Sequence, residues 1–166
     1  RLVDDAWSHD SISKEYEVTG MAGPSRFSLT VYRNGEVLDR TSIDLNGRRA
    51  EHRLRYAVGV LDSDEPMLTY ELSASYDGDV RSTEMAKSYD HRSGMDVSTG
   101  ETMPRPIPRG RPVVLLVTTR ESPSSGANEF RPEASVAVAE VWEIDDLVAD
   151  HDWVEILMVE WLVPNP

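Results

Sequence analysis

The chain contains no cysteine and only two lysines, Lys14 and Lys87, among its 166 residues. Disulfide bonds, thiolate metal sites and cysteine nucleophiles are therefore excluded. Few lysines with surplus acid are typical of a surface in high salt or of a GC-rich coding sequence, and both concern habitat more than activity. No run approaches the roughly 18 apolar residues of a membrane-spanning helix, so we expect no membrane span.

The usual catalytic signatures are also missing. The sequence has no glycine-rich phosphate loop, no G-x-S-x-G nucleophile elbow and no H-E-x-x-H zinc motif. Its four histidines are far apart in the sequence and have polar neighbours. No serine has a sequence context that identifies it as the nucleophile of a catalytic triad with one of them. The histidines are His9, His52, His91 and His151. We therefore predict no catalytic residues and expect no organic cofactor.

Charge and length limit the classes of partner and the number of domains. A formal charge of −13 repels phosphate backbones and anionic lipid surfaces, so binding to nucleic acid or to a membrane surface is not expected. A chain of this length suits one domain that buries about 70% of its extended-chain surface. We predict a loosely ordered arm over residues 1–13 and one domain over 14–166. Because the chain starts at Arg1, we also expect an upstream signal peptide, lipoprotein anchor or trimmed tail.

Residues 26–45 carry the clearest structural signal, a β-hairpin folded about Asn34-Gly35. Apolar residues alternate on both sides of this dipeptide, which is the period of a strand. A two-residue turn would set Val31 opposite Leu38. A three-residue loop with Gly35 in a left-handed bulge sets Val31 opposite Val37 and Phe27 opposite Thr41. We predict the three-residue loop, because it lets the apolar faces coincide.

Further strands follow at roughly even spacing. Residues 48–61 fit both helical and strand periods, and β-branched residues with flanking turns favour a strand. Residues 80–89 are mostly polar and predict an edge strand, whereas 113–117 are all apolar and predict a central one. Residues 90–111, rich in proline and arginine, predict a long loop. The other predicted strands are 14–19, 67–76, 134–142 and 153–163. This pattern predicts an all-β antiparallel sandwich of about nine strands, with a barrel as the alternative.

Clustered carboxylates are the strongest candidates for a site. Counting chain reversals places two acidic loops at one end of the sandwich, with Asp77 and Asp79 at the other. The grouped residues are Asp62, Asp64, Glu65, Asp145, Asp146, Asp150 and Asp152. Oxygen ligands from separate loops suit Ca²⁺. Two alternatives stay open: Asp commonly forms turns and helix caps, and arginines of the predicted loop could neutralise the cluster. Those arginines are Arg92, Arg105, Arg109 and Arg111.

Two segments suggest interactions with partners. The arginine-proline stretch 104–112 is either a solvated connection or a preformed docking strand for a protein partner. The strand that runs from Trp153 to Val163 is apolar on both faces, so it is either central in a sheet or covered by a second copy of the chain. Trp142, Trp153 and Trp161 are predicted to lie in the core, with a sugar-binding platform as the alternative.

The function predicted from these patterns is a non-enzymatic binding or structural module. We expect it in a secreted, lipoprotein, cell-surface or envelope protein, while a cytoplasmic location stays open. The alternative is a hydrolase that uses acidic residues carried on loops, with or without a metal ion.

Overall fold

The computed structural model describes residues 12–61, 67–88, 96–102, 104–121 and 143–163. Within these ranges the elements are β1 (Ile12–Val18), β2 (Gly23–Arg33), β3 (Glu36–Gly47), β4 (His52–Leu61), β5 (Met67–Tyr76), β6 (Asp79–Ser88), β7 (Asp96–Glu101), β8 (Pro112–Glu121), α1 (Ile144–Asp150) and β9 (Trp153–Trp161). The strands form two antiparallel sheets, ordered β1-β4-β5-β6 and β3-β2-β9-β8-β7, around a shared apolar core. The predicted all-β sandwich is confirmed, and the sheets do not close into a barrel.

The strand interpretation of residues 48–61 is also confirmed. β4 pairs with β1 on one side and with β5 on the other. Leu54, Tyr56 and Val58 are buried against the facing sheet, whereas Arg53 and Arg55 point to solvent. This alternation follows from the period of two along a strand. β6 lies at the edge of its sheet, as its polar composition predicts.

The turn between β2 and β3 differs from the prediction. Arg33 pairs directly with Glu36, so the loop contains two residues and not three. Asn34 and Gly35 both have positive φ, at 49° and 86°. This conformation defines the type I′ turn that Asn-Gly favours, because its twist matches that of the flanking strands.

The bulge that we predicted in the turn lies within the strands instead. Tyr32 pairs with Val37, but Val31 pairs with Asp39, so Leu38 is the extra residue. The shift sets Phe27 opposite Ile43 in place of the predicted Thr41. A bulge of one residue exchanges the faces of everything beyond it. The hairpin therefore brings its apolar faces together by a bulge at Leu38, and the predicted pairings of Val31 and Phe27 are wrong.

β9 is the middle strand of its sheet, between β2 and β8. One of its faces packs into the core between the sheets, and the other lies under α1, where Ile144 and Val148 contact Val154 and Ile156. Both apolar faces of β9 are thus covered within the chain from Trp153 to Val159, whereas Val163 at the end of the predicted segment is exposed. Of the two alternatives for this segment, the central position is the observed one, and its packing requires no second copy. The predicted strand 134–142, including Trp142, lies outside the described residues.

The predicted loop over 90–111 contains a strand, β7, which pairs with β8. This extra reversal moves the residues after β7 to the end of the sandwich opposite the Asn34-Gly35 turn, where the Gly110 N–H donates to the Trp161 carbonyl at 2.7 Å. Asp152 lies at the turn end, because its carbonyl accepts from the Asn34 N–H at 2.8 Å. The expectation that Arg105, Arg109 and Arg111 neutralise the acidic cluster is therefore wrong.

His52, the first residue of β4, is a buried polar side chain in this fold. Only 1% of its surface is exposed, and its ring stacks on Tyr76 with 5.8 Å between centroids. Within the described part of the chain, neither ring nitrogen has a hydrogen-bond partner. Burial lowers the pKa of His52, while the negative charge of Asp77 opposes this shift. The folded state therefore favours the neutral imidazole.

This burial makes stability depend on pH. Because the pKa of His52 is lower in the folded than in the unfolded state, its neutral form contributes stability above about pH 6.5, and that contribution is lost as the pH falls further. We expect the difference between urea midpoints at pH 7.5 and pH 5.5 to be smaller in His52→Phe, which retains the aromatic stack on Tyr76. The loss of stability at low pH that arises from other titrating groups is common to both proteins, so it cancels in this comparison. An equal pH difference in both proteins would contradict it.

Candidate functional site

A buried ion pair lies between the two sheets. Glu155 points inward from β9 and Arg120 points inward from β8. The Arg120 Nε donates to Glu155 Oε1 at 2.7 Å, and Nη2 reaches Oε2 at 3.5 Å. The side chains are 0% and 2% exposed. Such a pair must offset the cost of removing both charges from water, so its further hydrogen bonds decide whether it is tolerated.

The facing sheet supplies those hydrogen bonds. The hydroxyls of Tyr56 on β4 and Tyr70 on β5 donate to the Glu155 carboxylate at 3.1 and 2.6 Å. The Trp153 indole lies within 3.2 Å of the Tyr70 hydroxyl and 3.3 Å of Glu155 Oε1. One carboxylate thus accepts from donors on both sheets. We name Arg120, Glu155, Tyr56, Tyr70 and Trp153 the buried polar cluster.

Electrostatics keeps the two tyrosines and the arginine of the cluster protonated. Burial and the charge of Glu155 raise the pKa of Tyr56 and of Tyr70 well above the usual tyrosine range, so both hydroxyls stay protonated and can donate. Burial alone would lower the pKa of Arg120, but the adjacent Glu155 carboxylate raises this pKa by more, so the net shift is upward. The guanidinium therefore stays charged.

Two polar atoms near the cluster lack partners among the described residues, Arg120 Nη1 and Thr118 Oγ1. Arginine, glutamate and tyrosine are common in active sites, yet these copies are enclosed between the sheets. A group that catalyses a reaction must come within hydrogen-bond reach of its substrate. The arrangement therefore joins the sheets and does not present reactive groups to solvent.

Sequence reasoning missed this cluster, although one signal was present. Glu155 shares the inward face of β9 with Trp153 and Leu157 by the period of two, so a carboxylate interrupts an apolar face. Arg120 was harder to place, because the register shift after Val114 changes which residues of β8 face inward.

An open groove of about 510 Å³ lies at the side of the sandwich. Residues 15–19, from β1 and the residue after it, form one wall. Glu101, Thr102 and residues 104–107 form the other, and Val113 and Leu115 of β8 also line the groove. Its volume falls within the about 300–1,000 Å³ of typical ligand sites.

The wall formed by Glu101, Thr102 and residues 104–107 is held at both ends. The Thr102 N–H donates to the Leu115 carbonyl at 2.9 Å. Leu115 is the residue of β8 that the register shift leaves without a partner on β9. Beyond the wall, the Arg109 guanidinium lies 4.4 Å from the centre of the Trp161 ring, an attractive cation–π geometry. Ile107 packs against the main core. The segment that we predicted as a connection or a docking strand is therefore anchored.

The groove is acidic along β1. Glu15 and Glu17 are exposed and lie on the same face of the strand. Glu101 forms an ion pair with Lys14 at 3.0 Å. The Tyr16 hydroxyl is buried without a hydrogen bond of normal geometry. Burial and the charge of Glu101 raise the Tyr16 pKa, so its hydroxyl stays protonated.

The structure tests the predicted calcium ligands only in part. Asp145, Asp146, Asp150 and Asp152 lie in or beside α1 with exposed side chains, and Asp145 is in the first turn of the helix and does not cap it. Asp62, Asp64 and Glu65 lie outside the described residues. In the described part of the chain, no three acidic or histidine side chains are grouped closely enough to hold a metal ion.

Removing one partner of the buried ion pair should cost far more than removing one partner of an exposed pair. We expect Arg120→Met to lower the free energy of unfolding by about 3–5 kcal/mol, because it leaves the Glu155 charge buried and uncompensated. The double variant Arg120→Met/Glu155→Gln should recover part of this loss, since no charge remains buried and the amide oxygen can still accept from the tyrosines.

Arg26→Met is the matched control, because Arg26 Nε also lies 2.7 Å from its partner Asp44 but the two side chains are 46% and 65% exposed. It should cost less than about 1 kcal/mol in urea denaturation. Similar losses for Arg26→Met and Arg120→Met would refute the role assigned to the buried pair.

The calcium hypothesis stays a prediction, and thermal unfolding tests it. If the two acidic loops bind Ca²⁺, millimolar Ca²⁺ should raise the unfolding midpoint relative to a chelator, because a ligand that binds only the folded state stabilises it. Asp62→Asn and Asp146→Asn should each reduce the rise. An unchanged midpoint in the parent protein would eliminate the site.

A comparison of this chain with protein-family models, curated proteins and solved structures finds no match. Among the residues described here, no helix is long and apolar enough to cross a membrane. Its function must therefore be inferred from the burial, charge and contacts of its own residues.

Proposed function

We propose that this chain is a non-enzymatic β-sandwich binding module, and that its ligand site is the groove between β1 and the wall of Glu101, Thr102 and residues 104–107. The observation that carries the proposal is the contrast between the two candidate sites. The groove is open, of ligand-sized volume and built from an anchored wall, whereas the buried polar cluster is closed to solvent. Anchored walls favour binding because little conformational entropy is lost when the ligand enters.

The composition of the groove also favours binding over catalysis. Apolar side chains of Val18, Ile107 and Leu115 lie beside a comparable number of polar and charged residues, so a ligand can bury apolar surface and be oriented by polar contacts. Lys14 already pairs with Glu101, so this carboxylate is held by a structural contact. The alternative function, a hydrolase with acidic residues on loops, would place its chemistry at the predicted acidic loops and not in this groove.

An extracytoplasmic setting is part of the same proposal. Many cell-surface domains share the sandwich architecture without sequence similarity. Fractionation of the native host cells, followed by detection of the chain in the envelope or medium, tests the extracytoplasmic setting directly; recovery in the cytoplasm would overturn it.

Binding in the groove can be mapped by nuclear magnetic resonance. We expect members of a library of short peptides and small molecules to shift the amide signals of residues 15–19 on one wall and of Glu101, Thr102, Arg105 and Ile107 on the other. Thr19→Trp, which places a large ring at the exposed end of the β1 wall, should weaken these ligands by at least about tenfold, equivalent to roughly 1.4 kcal/mol. Ser82→Trp on β6 adds the same side chain at an exposed position away from the groove and should leave binding unchanged.

A parallel assay on generic ester, phosphate and glycoside substrates separates the two function classes. The binding proposal expects no turnover above that of a buffer control. Turnover that is lost in Asp62→Asn or Asp146→Asn, together with a groove that binds nothing, would favour the hydrolase.

A further inference from the structure

β1 is the edge strand of its sheet, and the side of β1 away from β4 faces the groove. Among the described residues it pairs with β4 alone. Along an unpaired edge, backbone N–H and C=O groups alternate and can pair with another extended chain. The groove therefore offers a ligand backbone hydrogen bonds along β1 as well as contacts with its lining side chains.

The opposite wall cannot complete this pairing itself. Pro104 and Pro106 lack the N–H that a ladder requires. Each proline also favours an extended conformation in the residue before it. An edge strand on one side and a proline-rich wall on the other thus leave a slot that suits an extended peptide.

The side chains on β1 indicate which peptide fits. Glu15 and Glu17 lie on one face of the strand and are exposed, while Tyr16 and Val18 lie on the other face, toward the core. A strand added beside β1 would place alternate side chains next to the two glutamates. Among the described residues that line the groove, Arg105 is the one cation and Glu15, Glu17 and Glu101 are three carboxylates, so the lining is acidic on balance. An occupant with positive side chains two residues apart complements this pattern.

We propose that the groove binds an extended protein segment of the pattern basic-apolar-basic. This segment adds as a strand to the edge of β1 that no described residue pairs with, and it sets its basic residues beside Glu15 and Glu17 and its apolar residue beside Tyr16. The inference rests on the proposed binding function and names the class of ligand.

Fluorescence anisotropy with four labelled peptides tests the pattern. The probe is Thr-Lys-Val-Lys-Val-Lys-Thr, and its acidic counterpart replaces each Lys by Glu. A third peptide keeps the composition but groups the three lysines together, and a fourth replaces both Val residues by Pro. We expect the alternating basic peptide to bind most tightly. The grouped peptide loses the match to Glu15 and Glu17, and the proline peptide loses backbone donors.

Variants of the protein locate the contact. Glu15→Gln/Glu17→Gln should raise the Kd of the alternating basic peptide by about 2- to 30-fold, the range expected for losing two cross-strand charge pairs. Glu36→Gln/Asp79→Asn removes the same net charge at exposed positions outside the groove and should leave Kd within about twofold. Glu15→Lys/Glu17→Lys should reverse the preference toward the acidic peptide. All four side chains are exposed, and matching thermal midpoints will show that each variant is folded.

The outcomes separate this inference from the function on which it rests. Equal affinity for the basic and acidic peptides, or no effect of Glu15→Gln/Glu17→Gln, overturns the ligand class. If other library members still shift the groove signals in that case, the binding function stands. If no ligand of any class shifts them, both proposals are overturned.

Discussion

The Glu155 carboxylate lies in the middle of the sandwich, where an ionised group is tolerated only if neighbouring donors replace the water that it loses. Arg120 meets this requirement from the adjacent strand, and Tyr56 and Tyr70 meet it from the opposite sheet. These donors come from β8, β4 and β5. The two sheets must therefore be positioned so that all of the donors surround the Glu155 carboxylate. Apolar contacts tolerate small displacements, whereas these hydrogen bonds have narrow limits of distance and angle. The cluster therefore specifies how the two sheets meet.

The two sides of the sandwich are joined in different ways. Where β3 faces β6, Thr41 and Thr83 are hydrogen-bonded at 3.2 Å and Lys87 pairs with Asp39. Where β1 approaches β7, Lys14 pairs with Glu101, and the groove opens beside this link. The proline-rich wall borders the groove without closing it, because proline cannot donate to a ladder. A connection that looked like a solvated loop in sequence thus becomes one side of the candidate binding site.

Each error in the prediction of the fold has an identifiable physical cause. The Asn34-Gly35 signal was correctly read as a hairpin, but a bulge in the turn and a bulge in the strand align apolar faces equally well, and the sequence does not distinguish them. β7 escaped notice because its residues, Asp96–Glu101, have no apolar alternation and form a strand only by pairing with β8. That one missed strand moved Arg105, Arg109 and Arg111 to the wrong end of the molecule.

The sequence by itself determined the all-β class, the alternating faces of β4 and β5 and the edge position of β6, because burial against one facing layer imprints a period of two on each strand. Only the tertiary structure decided that Arg120 and Glu155 meet and that β1 borders a groove. Those contacts join residues far apart in the chain, with Arg120 brought inward by a bulge, and no local pattern encodes which distant strand will face another.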